Sequence, residues 1–252
     1  MALPQPAFDL LRSLAPCRLL SLGYPDLLIS DEFDVPEVAN ADKQRLNHSW
    51  QGKIYETDAV FRRIGIEATY ADISAHTGLE KPIDLNSKIA KAPQYDVVLD
   101  PGTLEHCFNI GQAFVNVRNM TRIGGHILHL NPLNIVNHGF YNVSPTTYYD
   151  FYELHGDQIR IGAVIDKEGG TGETYRKADA AGLRRTQSHA DSAIRCRYRG
   201  ARMAYAVEIS KKTRAACKPR RSCVVSAATC HIALVNPAQA LRALQRASVD
   251  RP

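Results

Sequence analysis

Asp100, Glu105, His106, His129, Asn131, Asn134, His138 and Tyr141 fall within residues 100–141 of a 252-residue chain. Neutral imidazole accepts a proton near pH 7, so His106, His129 and His138 are candidate general bases. His129 alternates with Leu128 and Leu130 at the end of an apolar run, GGHILHL (124–130), which puts it at the mouth of a strand. His126, earlier in that run, reads as a satisfied core residue. His138 and Tyr141 lie in NPLNIVNHGFYNVSP, a connection too long for a tight turn and of the length that usually serves function. Asn131 and Asn134 have the amide groups to orient substrate hydroxyls or amines. Glu105 suits a cap on a helix that starts near Thr103, where the positive end of the dipole favours a carboxylate, and that role is compatible with one in the site. The candidate catalytic set is His129, Asn131, Asn134, His138 and Tyr141.

These residues need elements that bring them together. CRLLSLG (17–23), GIEATYAD (65–72), PIDLN (82–86), YDVVLD (95–100) and GGHILHL (124–130) read as strands, with helical character between them over 36–64 and 103–122. Leu104, Phe108 and Val115 suggest one apolar face for the second helical segment. Ser144-Pro145 opens a further helix, PTTYYDFYELHG, with Ser as cap and Pro at the first helical position. QIRIGAVI (158–165) and RMAYAVEIS (202–210) read as two more strands. Alternating strands and helices imply an α/β fold, doubly wound around a mostly parallel sheet. Ligands of such sheets bind outside the carboxyl ends of the strands, so Asp72, Asp100 and the residues after His129 should line one crevice.

The ends of the first four strands carry residues suited to a nucleoside-bearing ligand. Asp72 is placed to accept both hydroxyls of a ribose, and Asp84 to accept from an adenine amino group beside the apolar edge of Leu85. Each of these aspartates also reads as a turn residue. The first βα turn, SLGYPDLL, has Gly23 alone where a dinucleotide fingerprint has two or three glycines, and GGTGET (169–174) lacks the lysine of a phosphate-binding loop. A plain dinucleotide-binding domain is therefore disfavoured.

The run from YDVVLDPGTLEHCFN to HGFYNVSPTTYYDFYELHG resembles class I S-adenosylmethionine (SAM)-dependent methyltransferase-like proteins, often found near surface-polysaccharide or natural-product biosynthesis. LSLGYPD, YADIS and GLEKPIDLN precede it in the order such proteins show. The likeness covers roughly residues 15–165 and extends to ARMAYAVEIS. It implies a Rossmann-like fold with SAM as cofactor. It implies that Gly23, Tyr24 and Asp26 hold the methionine part, Asp72 the ribose, and Asp84 with Leu85 the adenine. It implies Asp100 with Gly102 near the amino-acid moiety, and Thr103 and Glu105 complete the expected cofactor-binding set. Tyr24-Pro25-Asp26 departs from the family pattern by replacing a G-x-G.

Methyl transfer to an O or N of a small molecule, a sugar or natural-product intermediate, is the leading function. One alternative keeps SAM but reacts or cyclises its aminocarboxypropyl arm, releasing methylthioadenosine. Another is a non-catalytic methyltransferase-like scaffold.

Composition agrees with a globular chain of 44% hydrophobic and 23% charged residues. No apolar stretch approaches the roughly 18 residues of a membrane span. The start lacks a basic region followed by an apolar one, so a cytoplasmic location is expected. Cysteines at 17, 107, 196, 217, 223 and 230 show no paired C-x2-C spacing, so no metal site is expected. Residues 1–159 hold 12 Lys/Arg against 19 Asp/Glu, whereas residues 160–252 hold 19 against 7. The basic third suits an anionic partner such as a nucleotide sugar. No aromatic residues interleave with its charge in a binding motif, so a solvated face is the simpler reading and nucleic acid is not expected. Small-molecule substrate is the expected partner, and a homodimer is compatible with the sequence. The organisation reads as a SAM-binding core (1–165), a basic Gly-rich insertion (166–201), the last core strand (202–212) and a basic tail (213–252).

Overall fold

The computed structural model describes residues 2–38, 50–90, 93–166, 174–175 and 203–212. The chain begins with β1 (Ala2–Pro4), α1 (Gln5–Arg12), β2 (Cys17–Leu22), β3 (Asp26–Leu28), α2 (Thr57–Arg63), β4 (Ile66–Asp72) and β5 (Glu80–Pro82). It continues with β6 (Tyr95–Asp100), a 3-10 turn (Leu104–His106), α3 (Ile110–Met120), β7 (Thr121–Pro132) and α4 (Pro145–Leu154). The last described strands are β8 (Gln158–Asp166), β9 (Thr174–Tyr175) and β10 (Met203–Ser210).

Eight strands form one sheet in the order β5-β4-β2-β6-β7-β10-β8-β9. β5, β4, β2, β6 and β7 run parallel, and β10 lies antiparallel between β7 and β8. The strand order reverses between β2 and β6, which makes their carboxyl ends the switch point where a crevice opens. This is the doubly wound, Rossmann-like α/β arrangement expected from the alternating pattern.

The sheet is covered on both faces because its central strands are apolar on both. Leu20, Val98 and Ile127 pack with Phe114, Val117, Tyr148 and Tyr152 of α3 and α4. Their neighbours Leu19, Val97 and Leu128 pack on the other side with Phe8, Leu11 and Phe61 of α1 and α2. That split of adjacent residues is the two-residue period of a strand.

Five expectations about elements are corrected. The third strand is Glu80–Pro82, pairing with Tyr70–Asp72, and residues 83–86 form a turn held by Asp84. The expected helix over 103–122 divides into the 3-10 turn and α3, and its buried face is Ala113, Phe114, Val117 and Met120. Phe108 and Val115 are exposed. Glu37 makes an antiparallel bridge to Tyr55 where helix was expected, Thr57–Arg63 is helical, and residues 39–49 of that expected segment lie outside the described residues. After β2 the chain enters β3, which pairs in parallel with β1, so no helix directly follows the first loop. Ser144 stands at the start of α4, yet its hydroxyl makes no cap bond and Pro145 alone fits the expected opening. Most of the expected 166–201 insertion and all of the 213–252 tail lie outside the described residues.

Candidate active site

Asp100 ends β6 directly opposite His129 of β7. Its Oδ1 accepts from the backbone N–H groups of Thr103 (2.8 Å) and Leu104 (3.2 Å), which caps the 3-10 turn. Its Oδ2 accepts from His129 Nδ1 at 2.7 Å and Asn131 Nδ2 at 2.9 Å. An ionised carboxylate has about four lone-pair sites, and four donors occupy them. Asp100 is fully buried and therefore orders the loop instead of reaching an amino-acid moiety. It also does the capping that was expected of Glu105.

The His129 side chain is fully buried. Burial pushes the Tyr152 phenol well above its usual range, so it stays protonated. Its O–H donates to His129 Nε2 at 2.6 Å, and Nδ1–H then donates to Asp100. With both nitrogens engaged and Phe114, Tyr148 and Tyr152 around the ring, His129 positions other groups and cannot meet a substrate. Asn131 is likewise enclosed. Its Nδ2 joins two carboxylates, Asp100 and Glu105 (2.8 Å), while its Oδ1 accepts from Tyr148 O–H at 2.6 Å. It cannot orient a substrate hydroxyl as expected.

The network reaches the surface through Glu105, whose side chain is itself buried. Glu105 Oε1 lies 3.4 Å from Nε2 of the half-exposed His138. The loop carrying His138 is fastened here: Phe140 N (2.9 Å) and Tyr141 N (3.3 Å) donate to Glu105 O. Tyr141 O–H donates to Phe108 O at 2.8 Å. The rings of His106 and His138 are 5.2 Å apart, and exposed Phe108 and Phe140 meet edge-to-face beside them at 5.6 Å. Asn134 is exposed on the same connection. The rim thus holds His106, His138 and Tyr141, and the buried layer holds Asp100, His129, Asn131 and Glu105.

Across the crevice, Gly23 and Gly102 close β2 and β6 with φ of 92° and 101°, conformations that side-chain-bearing residues adopt only under strain. Thr103 O–H donates to Leu22 O at 2.6 Å and ties the two strand ends together. Half-buried Asp72 closes β4 and accepts from Ser74 N at 3.3 Å. Asp84 is exposed, and bonds from Asn86 and Ser87 hold its carboxyl below the usual range. Those bonds match its turn reading. Leu85 is buried in the core cluster that contains Leu22 and Ala71, so its side chain offers no edge to a ring. Tyr24 turns to pack on Tyr70 (centroids 4.7 Å apart), and its hydroxyl accepts from Asp58 N at 3.1 Å. Asp26 is part of β3.

The strand-end residues that remain candidates for holding a cofactor are therefore half-buried Asp72 and the two positive-φ glycines. Tyr148 and Tyr152 escaped the sequence reading as site residues. Their i, i+4 spacing in a Tyr-rich helix was a usable signal, since buried tyrosines need hydrogen-bond partners.

No protein-family model matches the sequence, and no curated protein matches it. Solved structures similar in fold include the 1,6-didemethyltoxoflavin-N1-methyltransferase of Burkholderia thailandensis, with bound 1,6-didemethyltoxoflavin and S-adenosylhomocysteine. That likeness has 11% identity and a TM-score of 0.48, covering 82% of this chain and 77% of that one. The O-methyltransferase of a trans-AT multienzyme of Brevibacillus brevis, in complex with S-adenosylhomocysteine, has 13% identity and a TM-score of 0.39, covering 81% and 72%. The [4+2]-cyclase SpnF has 13% identity and a TM-score of 0.44, covering 82% of each.

Proposed function

We propose that this chain is a SAM-dependent transferase that moves a methyl group to an O or N of a small molecule, a sugar or natural-product intermediate. The observation that carries the reading is the switch point between β2 and β6, with Asp72 at one strand end and the positive-φ Gly23 and Gly102 at two others. Asp72 accepts the ribose hydroxyls, and the two glycine turns give the backbone close approach to the rest of the cofactor. Bound SAM supplies a methyl group on a sulfonium. The Asp100–His129–Asn131 layer holds Glu105, and Glu105 in turn orients the His138 imidazole at the rim. His138 Nε2 is the group placed to take the acceptor's proton.

The test is to incubate the purified chain with SAM and candidate acceptors and to identify the sulfur-containing product. S-adenosylhomocysteine is expected. The atypical first loop, which leads into β3 and turns Tyr24 toward Tyr70, favours a second reading in which the aminocarboxypropyl arm reacts. Methylthioadenosine as product would select that reading. No measurable SAM binding by calorimetry sinks both and leaves a binding scaffold.

A further inference from the structure

We propose that Glu105, His106 and His138 form a binding site for a divalent transition-metal ion of the zinc class. One ligand atom from each lies within 4.8 Å of the others, the one such group of His, Cys, Asp or Glu among the described residues. Glu105 Oε1 and His138 Nε2 are 3.4 Å apart. Ligands about 2.05 Å from a tetrahedral ion stand about 3.3 Å from each other, so this pair already spans one edge of the polyhedron. Rotation of the exposed His106 ring closes the remaining edges. Two imidazoles and a carboxylate leave a fourth position for water or substrate, and imidazole donors select zinc-like ions over magnesium or calcium.

The surroundings support the ligands. Glu105 is buried, and Asn131, itself held by Asp100 and Tyr148, fixes its second oxygen. A Cβ on Gly139 would stand 2.8 Å from Glu105 O, so only glycine lets the His138 loop lie this close. An ordinary ion pair accounts for Glu105 and His138 but not for the convergence of His106. Resting on the transferase reading, the fourth position takes the acceptor's oxygen or nitrogen and lowers its pKa. His138 Nε2 is then a ligand instead of the base, and the acceptor's proton leaves to solvent water at the exposed rim as its lone pair takes the methyl group from the sulfonium.

The experiment measures the ion itself. Chelator-treated full-length protein is titrated with Zn2+ by calorimetry and with Co2+ by absorption. One equivalent is expected, with affinity falling about 100-fold in both His106→Ala and His138→Ala while circular dichroism is unchanged. The cobalt spectrum should lack thiolate charge transfer, because every donor is N or O. The chain also carries Cys217, Cys223, Cys230 and His231, so a Cys217→Ser/Cys223→Ser/Cys230→Ser variant is titrated alongside. Binding that survives the histidine substitutions and vanishes with the cysteines overturns the proposal, as does no binding by the parent chain. Neither readout depends on methyl transfer, so failure of the ion site and failure of the transferase reading are told apart.

Discussion

Two buried polar clusters sit at opposite ends of the parallel strands, and they are built differently. At the amino ends, Arg118 Nε meets Asp157 Oδ2 at 2.6 Å, and Lys211 Nζ donates to the carbonyls of Arg118 (2.8 Å) and Thr121 (2.6 Å). Lys212 N donates to the same aspartate at 3.1 Å. These bonds close the last turn of α3 and pin the starts of β7 and β8, and each cation has an anion or a helix-end carbonyl. At the carboxyl ends, two carboxylates share one asparagine, a histidine is locked between aspartate and tyrosine, and the chain of bonds runs out to exposed imidazoles. The first cluster terminates in backbone. The second terminates at a surface where a ligand can meet it.

The largest expected effect breaks the first cluster. Asp157→Ala leaves the buried Arg118 guanidinium without its anion, which costs about 3–5 kcal/mol of stability. Urea unfolding measures the loss. SAM affinity of the folded protein should be unchanged, and a parallel loss of affinity would erase the distinction between the two ends.

How far the clusters were legible in the sequence follows the same division. YDVVLD and the switch-point geometry could be read because a short apolar run between turn residues has few alternatives, and Asp100 was placed correctly at a strand end. Its partners were not readable. His129 looked like a base because alternation gives a face, but only α4 packing over that face shows the ring to be enclosed. Leu85 and Phe108 exchanged the environments expected of them, since a turn at 83–86 and a 3-10 turn at 104–106 shift which side chains face the core. Glu105, His106 and His138 converge through a loop contact across more than 30 residues, which no spacing rule reports.

The next effect sharpens the ligand end. Asp72→Ala removes a charged acceptor for two hydroxyls, each such bond being worth about 1.5–3 kcal/mol. SAM affinity should fall at least about tenfold by calorimetry, with the urea midpoint little moved. Unchanged affinity would mean that the ribose assignment is wrong. Tyr148→Phe acts one step further in. It deletes the donor to Asn131 Oδ1 and costs about 1–3 kcal/mol, because a buried acceptor is left without that bond. The transfer rate should fall while SAM affinity holds. If only stability drops, the network is core structure and nothing more.

The smallest effect is a pH dependence at the amino-end cluster. Burial is the largest cause holding the His155 imidazole below its usual range, with the Arg118 charge adding to it and the Phe151 carbonyl and Asp157 opposing it. The unfolded chain therefore binds a proton more readily than the folded one near this site. Stability from neutral His155 is fully present above the unfolded pKa of about 6.5 and is lost as pH falls through the folded value. His106 is depressed in the same sense, so the parent protein carries two contributions of one sign. His155→Gln keeps an N–H able to donate to Phe151 O and removes the titration. Urea midpoints measured from pH 7.5 down to pH 5 should then fall less steeply than in the parent, with SAM affinity at each pH the same in both. An identical slope would show that His155 titrates alike folded and unfolded. A changed affinity would show instead that the amino-end cluster communicates with the ligand end after all.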